Sequence, residues 1–383
     1  MIIKTADSRQ QTADSRQQTA DSRQQTADSR QQTADSRQQT ADSRYHYFDF
    51  LRVFGVLAVI VWHNALPAWK AVSVKTVEGV MTSIYYGLSG WAVPVYVMIS
   101  GALFLSRDIP LRKIYGKYIF RILTAFLFWS FVYAAVGYVK NRDIMKALGH
   151  FIEGRYHLWF LFMITGLYMI VPFVRKIAES EFLTKYFLVL ALIFGFIIPQ
   201  IAEMLSVFSQ ECGEFAGRVA ENFFMTFPAG YTGYFLSGFV VSRINFSGRQ
   251  RQIIYFLGFA AIIFSVGLSL CASFVNSKPI TLFYRPLKIN TFLYSSAFFV
   301  LFRNKFNFQA KIIRALSQYS FGAYLVHDAV IESVKAVMKI CGHDFLPFNP
   351  IISVPVISVI VFVISFGISA ILNHIPVLKK YIV

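Results

Sequence analysis

The sequence predicts an all-α polytopic membrane protein with about ten transmembrane helices and with both termini in the cytoplasm. Of its 383 residues, 56% are hydrophobic and 15% are charged, whereas a soluble domain carries roughly 25% charged residues. After residue 45, long apolar runs alternate with short basic loops. These runs are apolar all round, without the alternation of a strand, and helices satisfy their own backbone polar groups in lipid.

The apolar runs give the helices in chain order. We expect them near residues 48–67, 83–105, 118–139, 156–174, 184–202, 223–241, 253–275, 289–302, 318–338 and 350–372. A helix needs about 20 residues to cross the hydrocarbon core. The run at 289–302 is therefore short for a span.

The distribution of lysine and arginine predicts the orientation. With the N-terminus inside, the cytoplasmic loops hold 17 of these residues and the outer loops hold 12. Positive charge is enriched in cytoplasmic loops, so the bias favours an N-in, C-in topology. The same loops account for the net charge of +17, and we therefore reject nucleic-acid binding.

Residues 1–44 differ in kind from the rest of the chain. From residue 5 the segment repeats TADSRQQ five times and ends in TADSR. It has no apolar face, so we expect a disordered tail at 1–44 ahead of a transmembrane domain at 45–383. Disorder requires only composition, yet the copies are identical. The nucleotide unit ACAGCAG, read through all three frames, encodes the whole peptide repeat, so we predict that slippage of this unit switches expression.

The cysteines give no sign of a metal site. Cys212, Cys271 and Cys341 form no CxxC motif and have no Cys/His spacing typical of metal ligands. Their odd number excludes complete disulfide pairing within the chain. Ordinary packing or loop positions explain them, and we expect no bound metal.

The first apolar run contains ionisable residues, which are costly in lipid and hence candidates for function. They are Asp49, Arg52 and His63. Arg52 and His63 are eleven residues apart, about 20° past three full helical turns, so they share a face at roughly 16 Å separation. Asp49 and Arg52 could instead form an interfacial ion pair, and His63 could be an interfacial histidine.

Two further groups of polar residues have competing explanations. The outer group comprises Arg155, Tyr156, His157, Trp159, Tyr324, His327 and Asp328. An aromatic belt accounts for its Tyr156 and Trp159 but less well for a histidine in the middle of a helix. On the inner side, Lys117 and Arg121 either follow the positive-inside bias or bind a phosphorylated donor.

Small residues cluster on two of the predicted helices. The second helix carries Ser89, Gly90, Ser100 and Gly101, and the sixth carries Gly230, Gly233, Ser237 and Gly238. Small side chains allow helix backbones to approach closely in a membrane. We therefore expect these helices to pack tightly.

Several blocks resemble one family when taken in order. They are FDFLR at 48–52 followed by His63, VPV at 93–95 with ISGAL at 99–103, FRI at 120–122, HLWFL at 157–161, GYFLSG at 233–238 and SFGAYLVH at 320–327. Together they resemble the acyltransferase-3 family of integral-membrane O-acyltransferases over about residues 46–375. Within that family they look like the O-acetyltransferases of enterobacterial common antigen and O-antigen. Some members carry a fused extracytoplasmic domain, which we do not expect here.

The resemblance implies an O-acetyltransferase in the inner (cytoplasmic) membrane of a bacterium. The donor would be acetyl-CoA, as a co-substrate with no bound cofactor, and the acceptor a hydroxyl of a surface glycan or lipid-linked precursor. It implies His63 as general base or acetyl carrier, supported by Arg52 and Asp49. Arg121 and Lys117 would bind the donor phosphates. The acceptor side would contain His157, Trp159, Tyr324 and His327.

Two alternatives remain on the sequence. A transporter or flippase for a lipid-linked glycan would share the helix count and the buried charges, although we see no similarity between the halves of the chain. A purely structural membrane subunit would leave His63 and His327 unexplained.

Overall fold

The computed structural model describes residues 45–222, 226–342 and 349–383. The tail predicted at 1–44, with its repeat, lies outside the described residues. Within those ranges every element of regular secondary structure is a helix, and there is no strand. The predicted all-α class is therefore confirmed.

The helices follow one another with short connections. We number them α1 (Tyr47–Ala71), α2 (Val77–Ser89), α3 (Ala92–Phe104), α4 (Phe120–Asn141), α5 (Ile144–Glu153), α6 (Trp159–Met169), α7 (Val171–Ala178), α8 (Glu181–Leu190), α9 (Ile198–Phe208), α10 (Gln210–Asn222), α11 (Thr226–Arg243), α12 (Gly248–Asn276), α13 (Ile289–Lys305), α14 (Lys311–Ile340), α15 (Pro350–His374) and α16 (Pro376–Tyr381). Turns of π-helix at Ile114–Ile119 and Ala191–Ile197 lead into α4 and α9, and a 3₁₀ turn at Tyr156–Leu158 leads into α6.

Six spans in the described ranges are long and apolar enough to cross a membrane. They are Tyr47–Ala71, Val77–Phe104, Leu111–Val139, Glu181–Ser206, Gly248–Asn276 and Pro350–His374. A bent pair, Ile144–Met169 with Val171–Ala178 at 59°, makes a seventh if it is one span. The chain is thus a multi-pass membrane protein, and each of these spans overlaps a predicted one.

The other three predicted spans, at 223–241, 289–302 and 318–338, fall on α11, α13 and α14. α13 has 17 residues, so it is short for the hydrocarbon core, where about 20 are needed. α14 has 30 residues but carries ionisable side chains along its length, including His327 and Asp328. The total of ten spans and the N-in, C-in orientation remain predictions.

The side chains of α12 are distributed as lipid contact requires. Its large apolar side chains are exposed, with Phe256 at 69% and Phe259 at 66%. Its buried face consists of small residues, namely Gly258, Ala261, Ser265, Ser269, Ala272 and Ser273. In a membrane the solvent is apolar, so large apolar side chains face outward and small ones allow neighbouring helices to approach.

α3 and α11 cross at close range, as the small residues predicted. A Cβ at Gly101 would overlap the carbonyl oxygen of Phe235, and a Cβ at Gly238 would overlap that of Met98. The crossing therefore requires glycine on both helices. The crossing fixes α3, which packs beside α1. α1 also packs against α2, α13, α14 and α15. It therefore runs through the centre of the bundle.

Candidate functional site

The first half of α1 faces a cavity that we call the arginine cavity. Its volume is about 310 Å³, at the lower end of the ~300–1,000 Å³ typical of small-molecule sites. Two guanidinium groups reach it, Arg52 from α1 and Arg121 from the start of α4. The rest of its wall is mainly apolar and aromatic: Tyr96, Ile99, Ser100, Leu103, Phe104, Tyr118, Ile122, Phe160, Leu161, Ile164, Tyr168, Ser320, Phe321 and Tyr324.

Arg52 is positioned by Asp49 and Tyr96. Its Nη1 lies 3.6 Å from the Oδ1 of Asp49, a carboxylate that is 3% exposed. The hydroxyl of Ser317 donates to the same Oδ1 at 2.7 Å. The hydroxyl of Tyr96 donates to the carbonyl oxygen of Arg52 at 2.9 Å. Asp49 thus forms the predicted ion pair and does not line the cavity, which makes it a positioning residue for the guanidinium.

Arg121 separates the arginine cavity from a second, polar cavity of about 360 Å³. Its Nη2 donates to the main-chain oxygen of Val383. The second cavity is lined by Arg121, Gln318, Tyr319, Asn373, His374 and Lys379. Lys117 is exposed, and its ammonium lies 5.9 Å from the centroid of the Tyr118 ring. Arg121, and not Lys117, therefore lines the arginine cavity.

The second half of α1 reaches a cluster of imidazoles, which we call the histidine cluster: His63, His157 and His327. The His63 and His327 rings stack with centroids 5.3 Å apart at 27°. The His157 ring meets His327 edge-on, with centroids 4.9 Å apart. The cluster joins α1, the 3₁₀ turn before α6, and α14. The structure thus brings His63 to the two histidines predicted for the acceptor side.

Backbone oxygens hold two of these rings. Nδ1 of His327 lies 2.5 Å from the carbonyl oxygen of Tyr324, and Nε2 of His157 lies 3.4 Å from that of Leu325. The hydroxyl of Tyr324 donates to the carbonyl oxygen of His157 at 2.5 Å. Both rings are buried, at 0% exposure for His327 and 1% for His157. α14 and the 3₁₀ turn therefore fix each other through the cluster.

An ion pair borders the cluster on one side. Asp328, 2% exposed, accepts from Nε of Arg155 at 2.7 Å and from the hydroxyl of Tyr156 at 2.6 Å. The Tyr156 ring in turn lies edge-on to His63, with centroids 5.0 Å apart. The Asp328 carboxylate thus holds both Arg155 and Tyr156, and it fixes the Tyr156 ring edge-on to His63.

Tyr324 and Phe160 connect the two regions. Both line the arginine cavity. The Tyr324 ring lies 5.7 Å from Phe160 and 5.6 Å from His327, between ring centroids. A ligand whose anionic group pairs with the guanidinium groups could extend along this wall toward imidazoles able to exchange protons.

Some residues of the site were not predicted from the sequence. One predicted residue, Trp159, lies apart from the arginine cavity and the histidine cluster. Trp159 is 41% exposed and packs against Tyr231, with ring centroids 5.8 Å apart. Tyr96 and Tyr168 line the cavity, but a tyrosine in an apolar run carries no signal of its own. The pairing of Arg155 with Asp328 could have been suspected, since opposite charges within membrane-spanning segments tend to pair.

No set of three or more His, Cys, Asp or Glu side chains in the described ranges is arranged to hold a metal ion. The family model described as an acyltransferase domain matches residues 45–373. A search of curated proteins and a search of solved structures find no match to the chain.

Proposed function

The chain belongs to the acyltransferase-3 family and is a membrane acyltransferase, and we propose that it transfers an acetyl group from acetyl-CoA to a hydroxyl of a surface glycan or of its lipid-linked precursor. The single observation that carries this proposal is that Tyr324 lines the arginine cavity and that its ring also lies 5.6 Å from the His327 ring of the histidine cluster, between centroids. A thioester donor with phosphate groups needs positive charge at one end and a base at the other.

The two cavities suit different parts of the donor. The arginine cavity, about 310 Å³, is narrow and mostly apolar, which favours the acyl-pantetheine arm. The polar cavity beyond Arg121 is lined by Lys379, and a cation at that position favours the nucleotide phosphates. We propose Arg121 as the group between the two parts. Lys117, which is exposed, has a weaker claim to bind the donor.

His63 is our proposed catalytic residue for the acyl group. It lies on the predicted face of Arg52, about three helical turns along α1. Arg52, held by Asp49, would pair with the donor and help to position it. His157, Tyr324 and His327 would contact the acceptor.

Acyl transfer by the purified protein tests the proposal. The protein in lipid nanodiscs is mixed with acetyl-CoA labelled in the acetyl group and with surface glycan extracted from cells that lack the gene. We expect label in the glycan, released by mild base as an ester. A flippase would move lipid-linked glycan without consuming acetyl-CoA, so glycan translocation without release of CoA would replace our proposal with that rival.

We propose the cytoplasmic membrane of a bacterium as the location, since the donor is made in the cytoplasm and the chain is multi-pass. Mass spectrometry of the surface polysaccharide, with and without the gene, would identify the acetylated sugar. Acetyl groups that persist unchanged without the gene would contradict a role in glycan modification.

We also propose that the gene switches by slippage of the unit that encodes the TADSRQQ repeat. A surface modification is a trait in which such switching would matter. Mixed synonymous codons that break the seven-nucleotide period in the gene would end this idea.

A further inference from the structure

His327 offers an unused lone pair at the centre of the histidine cluster. Its Nδ1 lies 2.5 Å from the carbonyl oxygen of Tyr324. A carbonyl oxygen can only accept, so Nδ1 carries the proton of the neutral ring and Nε2 keeps the lone pair. That Nε2 is buried and has no hydrogen-bond partner within the described residues. A buried, unsatisfied polar atom lowers the stability of the fold, and a functional partner would explain why it is retained.

His327 is better placed than His157 to act together with His63. The His327 ring stacks on His63 at 5.3 Å between centroids, and it meets His157 edge-on on its other side. The contact of His157 with the Leu325 carbonyl is long, at 3.4 Å, so its ring is less firmly oriented. His63 is partly exposed, whereas His327 is fully buried.

Because Nδ1 of His327 already carries a proton, a second proton can bind at Nε2 with no change of tautomer. When Nε2 takes a proton, the imidazolium keeps its Nδ1–H directed at the Tyr324 oxygen. A hydrogen bond from a charged donor is roughly twice as strong as one from a neutral donor. The backbone of α14 would thus stabilise the charged form without any movement of the ring.

Resting on the function proposed above, we propose that the two stacked histidines divide the reaction, with His63 carrying the acetyl group and His327 Nε2 removing the proton from the acceptor hydroxyl. In the first step a His63 nitrogen attacks the thioester carbonyl and the C–S bond breaks. CoA leaves as the thiolate and takes the proton from the other nitrogen of the His63 ring. This leaves neutral acetyl-His63 and free CoA thiol.

In the second step the acceptor oxygen attacks the acetyl carbon while its proton passes to His327 Nε2. The acetyl–nitrogen bond then breaks and its electron pair returns to His63, which receives the proton from His327. Both rings end neutral, and the acceptor carries the ester. No oxidant or further reactant enters the balance.

The two half-reactions can be measured separately. Without acceptor, the first step and its reverse exchange labelled CoA into acetyl-CoA. With acceptor glycan, both steps are required. The informative variant is His327→Asn, because its amide nitrogen is as far from Cβ along the side chain as Nδ1 is. It can keep the bond to Tyr324 while it removes Nε2.

We expect wild type to show exchange and transfer, and His63→Gln to lose both. His327→Asn should keep CoA exchange within about two-fold and lose transfer by at least about 100-fold, the contribution typical of a general base. His157→Gln, changed in the same cluster, is the matched control and should retain more transfer than His327→Asn. His327→Gln, which restores an amide near the Nε2 position, is the second variant if the asparagine protein does not fold.

Retained transfer in a His327 variant would overturn the proposal, as would loss of exchange in a His327 variant that still elutes as a folded protein. Transfer by wild type without any exchange would exclude the acetyl-His63 step. These outcomes differ from failure of the proposed function, in which wild type would neither exchange nor transfer the acetyl group.

Discussion

The arginine cavity and the histidine cluster share α1, α14 and the segment that opens α6, yet they are built in opposite ways. The cavity leaves open space of about 310 Å³ beside Arg52 and Arg121. In the cluster, the His63 and His327 rings stack and a backbone carbonyl holds the His327 ring. An open cationic space suits binding, whereas fixed imidazoles suit chemistry. Changes in the two regions should therefore alter different kinetic constants.

The largest expected effect follows His63→Ala. Removal of a histidine that takes part in the chemical step should lower kcat by about 10²–10⁴-fold, with little change in the KM for acetyl-CoA. Initial rates of labelled acetyl transfer measure both constants. The control is His150→Ala on α5, since His150 is exposed. Near-normal kcat in the His63 variant would make this residue an interfacial histidine.

A smaller and different effect is expected for Arg121→Ala. Loss of a phosphate-binding cation should raise the KM for acetyl-CoA by about ten-fold or more, with a lesser change in kcat. Lys117→Ala removes an equal charge from an exposed position nearby and should alter the KM less. Equal effects of the two variants would mean that Arg121 contributes only its general positive charge.

The shape of the cavity can be changed without touching a charge. In Gly101→Ala the new methyl group meets the Phe235 carbonyl, which should push α3 away from α11 and cost about 1–3 kcal/mol. Because α3 lines the cavity, the KM for acetyl-CoA should also rise. At Gly166 on α6 a Cβ would meet nothing within 4 Å, so Gly166→Ala should leave the protein equally or slightly more stable.

Thermal unfolding in detergent compares these two glycine variants. We expect a lower midpoint for Gly101→Ala than for wild type, and no decrease for Gly166→Ala. An unchanged midpoint in both would show that the α3–α11 crossing can relax at no cost, and the cavity would then not depend on it.

The last comparison concerns the two sides of the membrane and should leave activity unchanged. The predicted topology puts Cys212 and Cys341 outside and both termini inside. Both cysteines are exposed in the structure, so a membrane-impermeant maleimide should label them in intact spheroplasts. A cytoplasmic reporter fused to the C-terminus should be active. If the two cysteines are labelled only after lysis, they lie inside, and the arginine cavity and the histidine cluster have the opposite orientation to the one predicted.

The fold class could be predicted from the sequence for physical reasons, and so could candidates for the site. Ionisable residues in apolar helices are costly, so Arg52, His63 and His327 could be recognised before their contacts were known. Helical periodicity put Arg52 and His63 on one face. That His63 meets His157 and His327 could not be predicted, because the cluster joins residues up to 264 positions apart on three separate segments.

Other features left no trace in the sequence. Asp49 could have paired with its helical neighbour or formed part of the reaction centre, and the contact with Ser317 that fixes it comes from α14. Lys117 and Arg121 are one helical turn apart and look equivalent, yet the cavity wall includes Arg121 and leaves Lys117 exposed. The total of ten spans also stays a prediction, because α13 is short and α14 is polar.

The most direct test of the account is a structure of the protein with an acetyl-CoA analogue whose thioester sulfur is replaced by a methylene group. The account predicts that the pantetheine arm fills the arginine cavity and that the ketone carbon lies about 3.5 Å from a His63 ring nitrogen, the separation of a reactive contact. An analogue bound with its ketone away from the histidine cluster, and with Arg52 and Arg121 free of contact, would contradict it.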